Sequence, residues 1–103
     1  MKIIIKQKLV DTPRNLVRRC GYAEIFDFRS QETSYVKRLS REFYPRFHAY
    51  PQETSDGLII NLHLDMKRPS YEGFTAHSGE YEGPLLDTEA ERIKKIILTP
   101  RQN

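Results

Sequence analysis

The chain has 103 residues, 38% of them hydrophobic and 30% charged, with a mean hydropathy of −0.67. That size and balance point to one small globular domain over residues 1–103 and exclude both a disordered chain and one embedded in a membrane. The net charge of +3 is uneven, with 11 Lys/Arg against 5 Asp/Glu in residues 1–50 and 6 against 9 in residues 51–103, so the first half is where an anion is expected to bind.

Met1, Ile3, Ile5 and Leu9 share one parity and Lys2, Lys6 and Lys8 the other, the pattern of a strand with a basic outer row. Lysines there also keep an edge strand from pairing with other molecules. The apolar run Ile3-Ile4-Ile5 is too short for the core of a signal peptide, which makes the cytoplasm the expected location. Asp11-Thr12-Pro13 opens a short helix and Gly21 ends it, with Leu16, Val17 and Cys20 on one side and Arg14 and Arg18 on another. Cys20, the only cysteine, rules out an internal disulfide and is expected to be buried.

Residues 23–28 and 34–39 contain strand formers around the turn-like Arg29-Ser30-Gln31-Glu32-Thr33, a hairpin composition that predicts two paired strands. A strand over residues 46–50 follows Tyr44-Pro45 and is expected to end at Pro51, which has no amide for a ladder, placing it near an edge or a bulge. Asp56-Gly57 is a turn signal. It leads into residues 58–66, where even positions are apolar and Asn61, His63 and Asp65 take the other parity, the alternation of a half-buried strand. Residues 67–87 form a long irregular stretch rich in Gly, Pro and aromatics, suited to a functional loop or a lid. A final helix is expected from about Asp87, with Thr88 and Glu91 spaced as a capping box, a core stripe of Ala90, Ile93, Ile96 and Ile97, and Pro100 as its stop. Together these elements predict an α+β fold: a mainly antiparallel sheet with the short first helix and the C-terminal helix on one face.

Two constellations carry chemistry. If the strands around 48 and 63 pair, His48, Tyr50, His63 and Asp65 share a face, and His77 and Glu80 can reach it from the loop. Imidazole and carboxylate groups suit a divalent metal, or a histidine base oriented by Asp65. His48, His63, Asp65 and His77 are thus the catalytic candidates, and the same four with Glu80 the metal candidates. The second constellation is Arg14, Arg18, Arg19, Lys37, Arg38, Arg41 and Arg46 interleaved with Tyr22, Tyr35, Phe43 and Tyr44, a mixture that offers guanidinium to phosphate and rings to unpaired bases. There is no phosphate loop, no nucleotide-cofactor motif and no serine in a nucleophile elbow, so a serine-triad hydrolase is not expected.

Asn61-Leu62-His63-Leu64-Asp65, Arg68-Pro69-Ser70-Tyr71-Glu72-Gly73 and His77-Ser78-Gly79-Glu80-Tyr81, preceded by Phe43-Tyr44-Pro45-Arg46-Phe47-His48, resemble a pattern in short uncharacterised bacterial proteins. That family brings no activity or ligand with it. Leu16-Val17-Arg18-Arg19-Cys20-Gly21-Tyr22 followed by strands resembles the start of HicA-like toxins, small RNA-cleaving proteins with a helix, three strands, helix order. Their catalytic histidine would fall near Glu32-Thr33-Ser34, where this chain has none, so the resemblance implies the topology without the nuclease activity. The expected function is binding of RNA or another polyanion through the basic, aromatic-interleaved N-terminal half. The alternatives are a small metal-dependent or histidine-based enzyme on the sheet face, and a protein-interaction or assembly module, including a homo-oligomer.

Overall fold

A computed structural model describes residues 1–66, 79–80 and 82–99, with the side chains of 79–80 excluded. Among the described residues the elements run β1 (Lys2–Ile5), α1 (Pro13–Arg19), β2 (Ala23–Asp27), β3 (Glu32–Arg38), β4 (Arg46–Thr54), β5 (Gly57–Asp65), β6 (Gly79–Glu80) and α2 (Pro84–Leu98). One antiparallel sheet orders the strands β1, β5, β4, β3, β2, and β6 adds to β5 beyond β1. The α+β architecture read from the sequence is therefore the one present. The helix, three strands, helix order is not. β1 precedes α1, and β5 pairs with both β1 and β4, so the sheet holds more strands than that topology.

Alternation decides the two faces. Leu58, Ile60, Leu62 and Leu64 of β5, Phe47 and Ala49 of β4, and Ile3 and Ile5 of β1 point to the side where Leu16 and Val17 of α1 and Leu86, Ala90, Ile93 and Ile97 of α2 complete one core. His48, His63 and Asp65 point to the other side. No helix among the described residues is long and apolar enough to cross a membrane.

Thr12 caps α1 by accepting from the Asn15 amide at 3.1 Å, and Gly21 leaves the helix at φ +93°, as Asp11-Thr12-Pro13 and Gly21 predict. Cys20 is buried, its thiol pushed up to about 11 mainly by desolvation, so it sits in the core as an unreactive thiol. α2 starts earlier than the capping box suggested. Pro84 occupies the first turn after Gly83, leaving Thr88 inside the helix, because proline's fixed φ already suits a helical start.

Two strand expectations change. β4 continues through Pro51 to Thr54, and it is central, between β5 and β3. The register with β3 ends at Tyr35↔Ala49, so from Tyr50 onward β4 has one registered neighbour, and Pro51 tolerates the absence of an amide there. The hairpin loop is Ser55 and Asp56, with Thr54 opposite Gly57. Gly57 is needed for a different reason from turn geometry: a Cβ built on it would lie 1.9 Å from the Ile5 carbonyl oxygen. Most of residues 67–87, expected as a long irregular stretch, lies outside the described residues, although β6 and the first turn of α2 fall within it.

A buried ionic network ties α2 to the end of α1. Glu89 accepts from the Tyr22 hydroxyl at 2.6 Å and from Arg92 at 2.8 and 2.9 Å, while Arg92 also donates to the Cys20 carbonyl at 2.7 Å. Burial alone would raise the Glu89 carboxyl, but the hydrogen bonds from Arg92 and Tyr22 outweigh it and hold the group below its ordinary value of 4.5. The unfolded chain therefore takes up this proton first. The stabilisation is complete above about pH 4.5 and drains away as pH falls through the lower folded value. Glu89→Gln is expected to lower stability at pH 7 by about 1–3 kcal/mol and to flatten the acid limb, as read by urea denaturation between pH 7 and 3. Gly57→Ala is expected to cost more than about 2 kcal/mol, because the seam between β1 and β5 must open. The same denaturation series measures it.

Candidate metal centre on the open sheet face

β4 and β5 pair over nine residue positions, with His48 directly opposite His63 and Arg46 opposite Asp65. Opposed residues of antiparallel strands share a face, so this register converts the sequence parity into contact. The rings of His48 and His63 stand 5.0 Å apart, and Tyr50 stacks on His48 at 4.4 Å. Asp65 lies at the centre. Its Oδ2 accepts from Arg46 Nε at 3.1 Å and is 2.9 Å from His48 Nδ1, while Oδ1 is 3.6 Å from His63 Nε2. One ligand atom from each of His48, His63 and Asp65 can be chosen such that all lie within 4.8 Å of one another.

Ser34 completes the arrangement. It lies on β3 two residues from Val36, the cross-strand partner of His48, and its Oγ is 2.7 Å from His48 Nε2. Both nitrogens of His48 are therefore engaged, and the serine hydroxyl can donate or accept, so it matches either tautomer. Burial would raise the Asp65 carboxyl, yet the hydrogen bond and charge of His48 and the bond from Arg46 hold it below its ordinary value. Desolvation lowers His63, against the opposing pull of Asp65, and so favours the neutral imidazole. An ionised carboxylate beside a neutral imidazole is the donor chemistry that a transition metal requires.

Of the residues singled out in the sequence, His48, His63 and Asp65 are brought together. His77 lies outside the described residues. Glu80 is placed by its backbone alone, opposite Leu64. The basic set is divided between the two faces of the sheet. Arg14 pairs with Glu24 at 3.0 Å, and Arg19 donates to the Ile96 carbonyl on the helical side, where Arg18 is exposed on α1 and Lys37 is opposite Phe47. Arg38 and Arg46 stand opposite each other on the open face, their guanidinium groups over Phe43 at 4.1 Å and Tyr44 at 4.6 Å, with Arg41 exposed in the intervening loop. Tyr35 and Tyr22 are core residues whose hydroxyls bond Glu24 and Glu89, which leaves no ring face for a base.

Ser34 was not a candidate from the sequence. The order Ser34, His48, Asp65 is the hydrogen-bond order of a serine triad, which no local motif announced. The only hint is that Ser34 shares a face with Val36, and this becomes informative once the β3 to β4 register is known.

No known protein family matches the chain, and neither the curated proteins nor the solved structures contain a significant match to it. The chemistry of the site therefore rests on its own geometry. Ser34→Ala is expected to cost about 1–3 kcal/mol, because it leaves His48 Nε2 buried with its partner removed. Thermal melts and nitrogen chemical shifts of the His48 ring check the stability and the tautomer together.

Proposed function

We propose that the protein is a small metal-dependent enzyme whose centre holds one first-row divalent ion, zinc being the probe of choice, through His48 Nδ1, His63 Nε2 and Asp65 Oδ1. The convergence of these three side chains from two paired strands carries the reading. Three groups bound to one ion at about 2.1 Å sit roughly 3.4 Å apart, so the cluster needs only a small contraction and the loss of the His48 to Asp65 bond. Arg46 keeps Oδ2 and leaves Oδ1 for the ion. Ser34 supports the same assignment. With Nδ1 as the ligand atom the ring would carry its proton on Nε2 and donate it to Ser34 Oγ, the outer bond that metal-bound histidines commonly make.

An ion held by these three side chains would supply Lewis-acid chemistry, activating a water or polarising a substrate oxygen. Tyr50, whose hydroxyl is 3.4 Å from His48 Nδ1, would offer a hydrogen-bonding group beside the same nitrogen. A second reading takes the opposite tautomer, with His48 drawing the proton from Ser34 while Asp65 holds Nδ1–H. Ser34 is 5% exposed in the middle of a strand, which gives its Oγ poor access to an incoming electrophile of any size. A bare ion is small enough for such a buried donor set, whereas an acyl or phosphoryl substrate must reach Ser34 itself, and this favours the metal. The basic N-terminal half supports polyanion binding less well, since its arginines are divided between two faces and partly engaged by Glu24 and the Ile96 carbonyl.

Zinc added to chelator-treated protein is expected to bind with one-to-one stoichiometry in calorimetry. At about 100 times its dissociation constant it should stabilise the fold by about 2.7 kcal/mol in thermal melts. His63→Gln and Asp65→Asn are each expected to abolish the binding while retaining the circular dichroism of the fold. Binding that survives His63→Gln, or none in the wild type, would discard the centre. Covalent labelling of Ser34 by a fluorophosphonate would instead establish the second reading.

A further inference from the structure

The geometry points to a phosphate monoester as the substrate class of this centre, held through its phosphate group by Arg38 and Arg46; this rests on the metal-dependent reading above. On the open face the register puts Arg38, Arg46 and Asp65 in one row across β3, β4 and β5, and Val36, His48 and His63 in the next. The arginine pair therefore borders the donor set directly. Neighbouring strands lie about 4.8 Å apart, so the row from Arg38 to Asp65 spans only about 10 Å at the backbone.

Like charges directly opposite each other on adjacent strands destabilise a sheet. Arg46 is compensated, since its Nε donates to Asp65 Oδ2 at 3.1 Å, and this leaves both terminal nitrogens of its fork for another acceptor. Arg38 meets no carboxylate among the described residues. Its guanidinium lies over the Phe43 ring at 4.1 Å and makes a long contact of 3.5 Å to the Arg41 carbonyl. Arg46 lies over Tyr44, so two consecutive rings of the β3 to β4 connection carry the two guanidinium groups and orient each fork. Arg41 and Glu42 in the same connection are both exposed and offset each other in charge. A positive pair held in place, with no protein anion to balance Arg38, is a site for an external one.

Charge and shape select the anion. Two guanidinium groups match a dianion with three terminal oxygens, whereas a carboxylate is saturated by one fork. The face is also polarised along β3, where Glu32, Ser34, Val36 and Arg38 follow one another and Asp27 stands opposite Glu32 at the far end. Those six steps cover about 20 Å. An extended polyanion laid along β3 meets the Asp27 and Glu32 carboxylates, while a single phosphate stays at the arginine end. A phosphate there borders the row of His48 and His63, where the metal-dependent reading puts the chemistry.

The test is a calorimetric and amide-shift titration of the metal-free full chain, treated with chelator and dialysed, with phenyl phosphate, inorganic phosphate, benzoate and a short oligouridylate. Phenyl phosphate is expected to bind about ten-fold or more tightly than benzoate, with the largest shifts over residues 38–48. Arg38→Gln, at an exposed position that preserves the fold, is expected to weaken it by about ten-fold. Arg18→Gln removes the same charge from the helical side and is expected to leave it unchanged. Equal loss in both variants, no binding, equal binding of benzoate, or binding of inorganic phosphate where the ester does not bind would overturn the assignment. Tighter binding of the oligouridylate at the same salt would overturn it in favour of RNA. Because metal is absent throughout, zinc binding with no phosphate binding rejects this inference alone. Phosphate binding in a protein that takes up no zinc rejects the metal centre alone.

Discussion

The pairing of β4 with β5 in one register is the constraint on which the rest of the molecule depends. It sets His48 against His63 and Arg46 against Asp65 on one side, and by the same step sets Phe47 against Leu64 and Ala49 against Leu62 on the other. A shift by one residue would put the leucines in water and the polar groups under the helices, so the energy that forms the core also fixes the polar side chains. Among the described residues, His48, His63 and Asp65 are all carried by the two paired strands. Their rigidity is borrowed from the buried leucines behind them.

Much of this was legible from period two alone. The parity of residues 58–66 identified which side chains of β5 point to the core, and the shorter alternation at 47–50 put His48 on the face of His63. What parity cannot supply is register between strands distant in sequence. Ser34 reaches His48 only through the alignment of β3 with β4, and nothing near Ser34 signals that it has a partner 14 residues away. The arginines illustrate the converse. Lys37 and Arg38 are neighbours in the chain and read as one basic cluster, yet alternation sends them to opposite faces, Lys37 opposite Phe47 and Arg38 opposite Arg46. Pro51 misled for a related reason: whether a proline ends a strand depends on how many neighbours that strand has at that point, which is a property of the sheet.

The charges follow a common logic at two distant places. Asp65 and Glu89 are both partly or wholly withdrawn from water, which by itself would favour their neutral forms, and each is kept ionised by an arginine and a second hydrogen-bonding group. At Glu89 the arrangement is closed, with Tyr22, Arg92 and the Cys20 carbonyl tying the middle of α2 to the end of α1. At Asp65 it sits on the open face beside two imidazoles. The same solution to burying a carboxylate serves as a structural tie in one case and keeps a carboxylate ionised beside two imidazoles in the other.

The tight seam where Gly57 meets the Ile5 carbonyl also bears on how the chain reaches its native state. β1 is the first strand in sequence, but its only strand neighbour among the described residues is β5, so residues 2–5 must wait for residues 58–61 before they gain these ladder partners. Closing so long a loop costs entropy that local hairpins do not pay, which orders assembly: the β2 to β3 and β4 to β5 hairpins can form first, and β1 joins an existing sheet. Until it does, one stretch of β5 is an unpaired edge with Leu58 and Ile60 exposed behind it, the period in which the chain is most open to pairing with another copy.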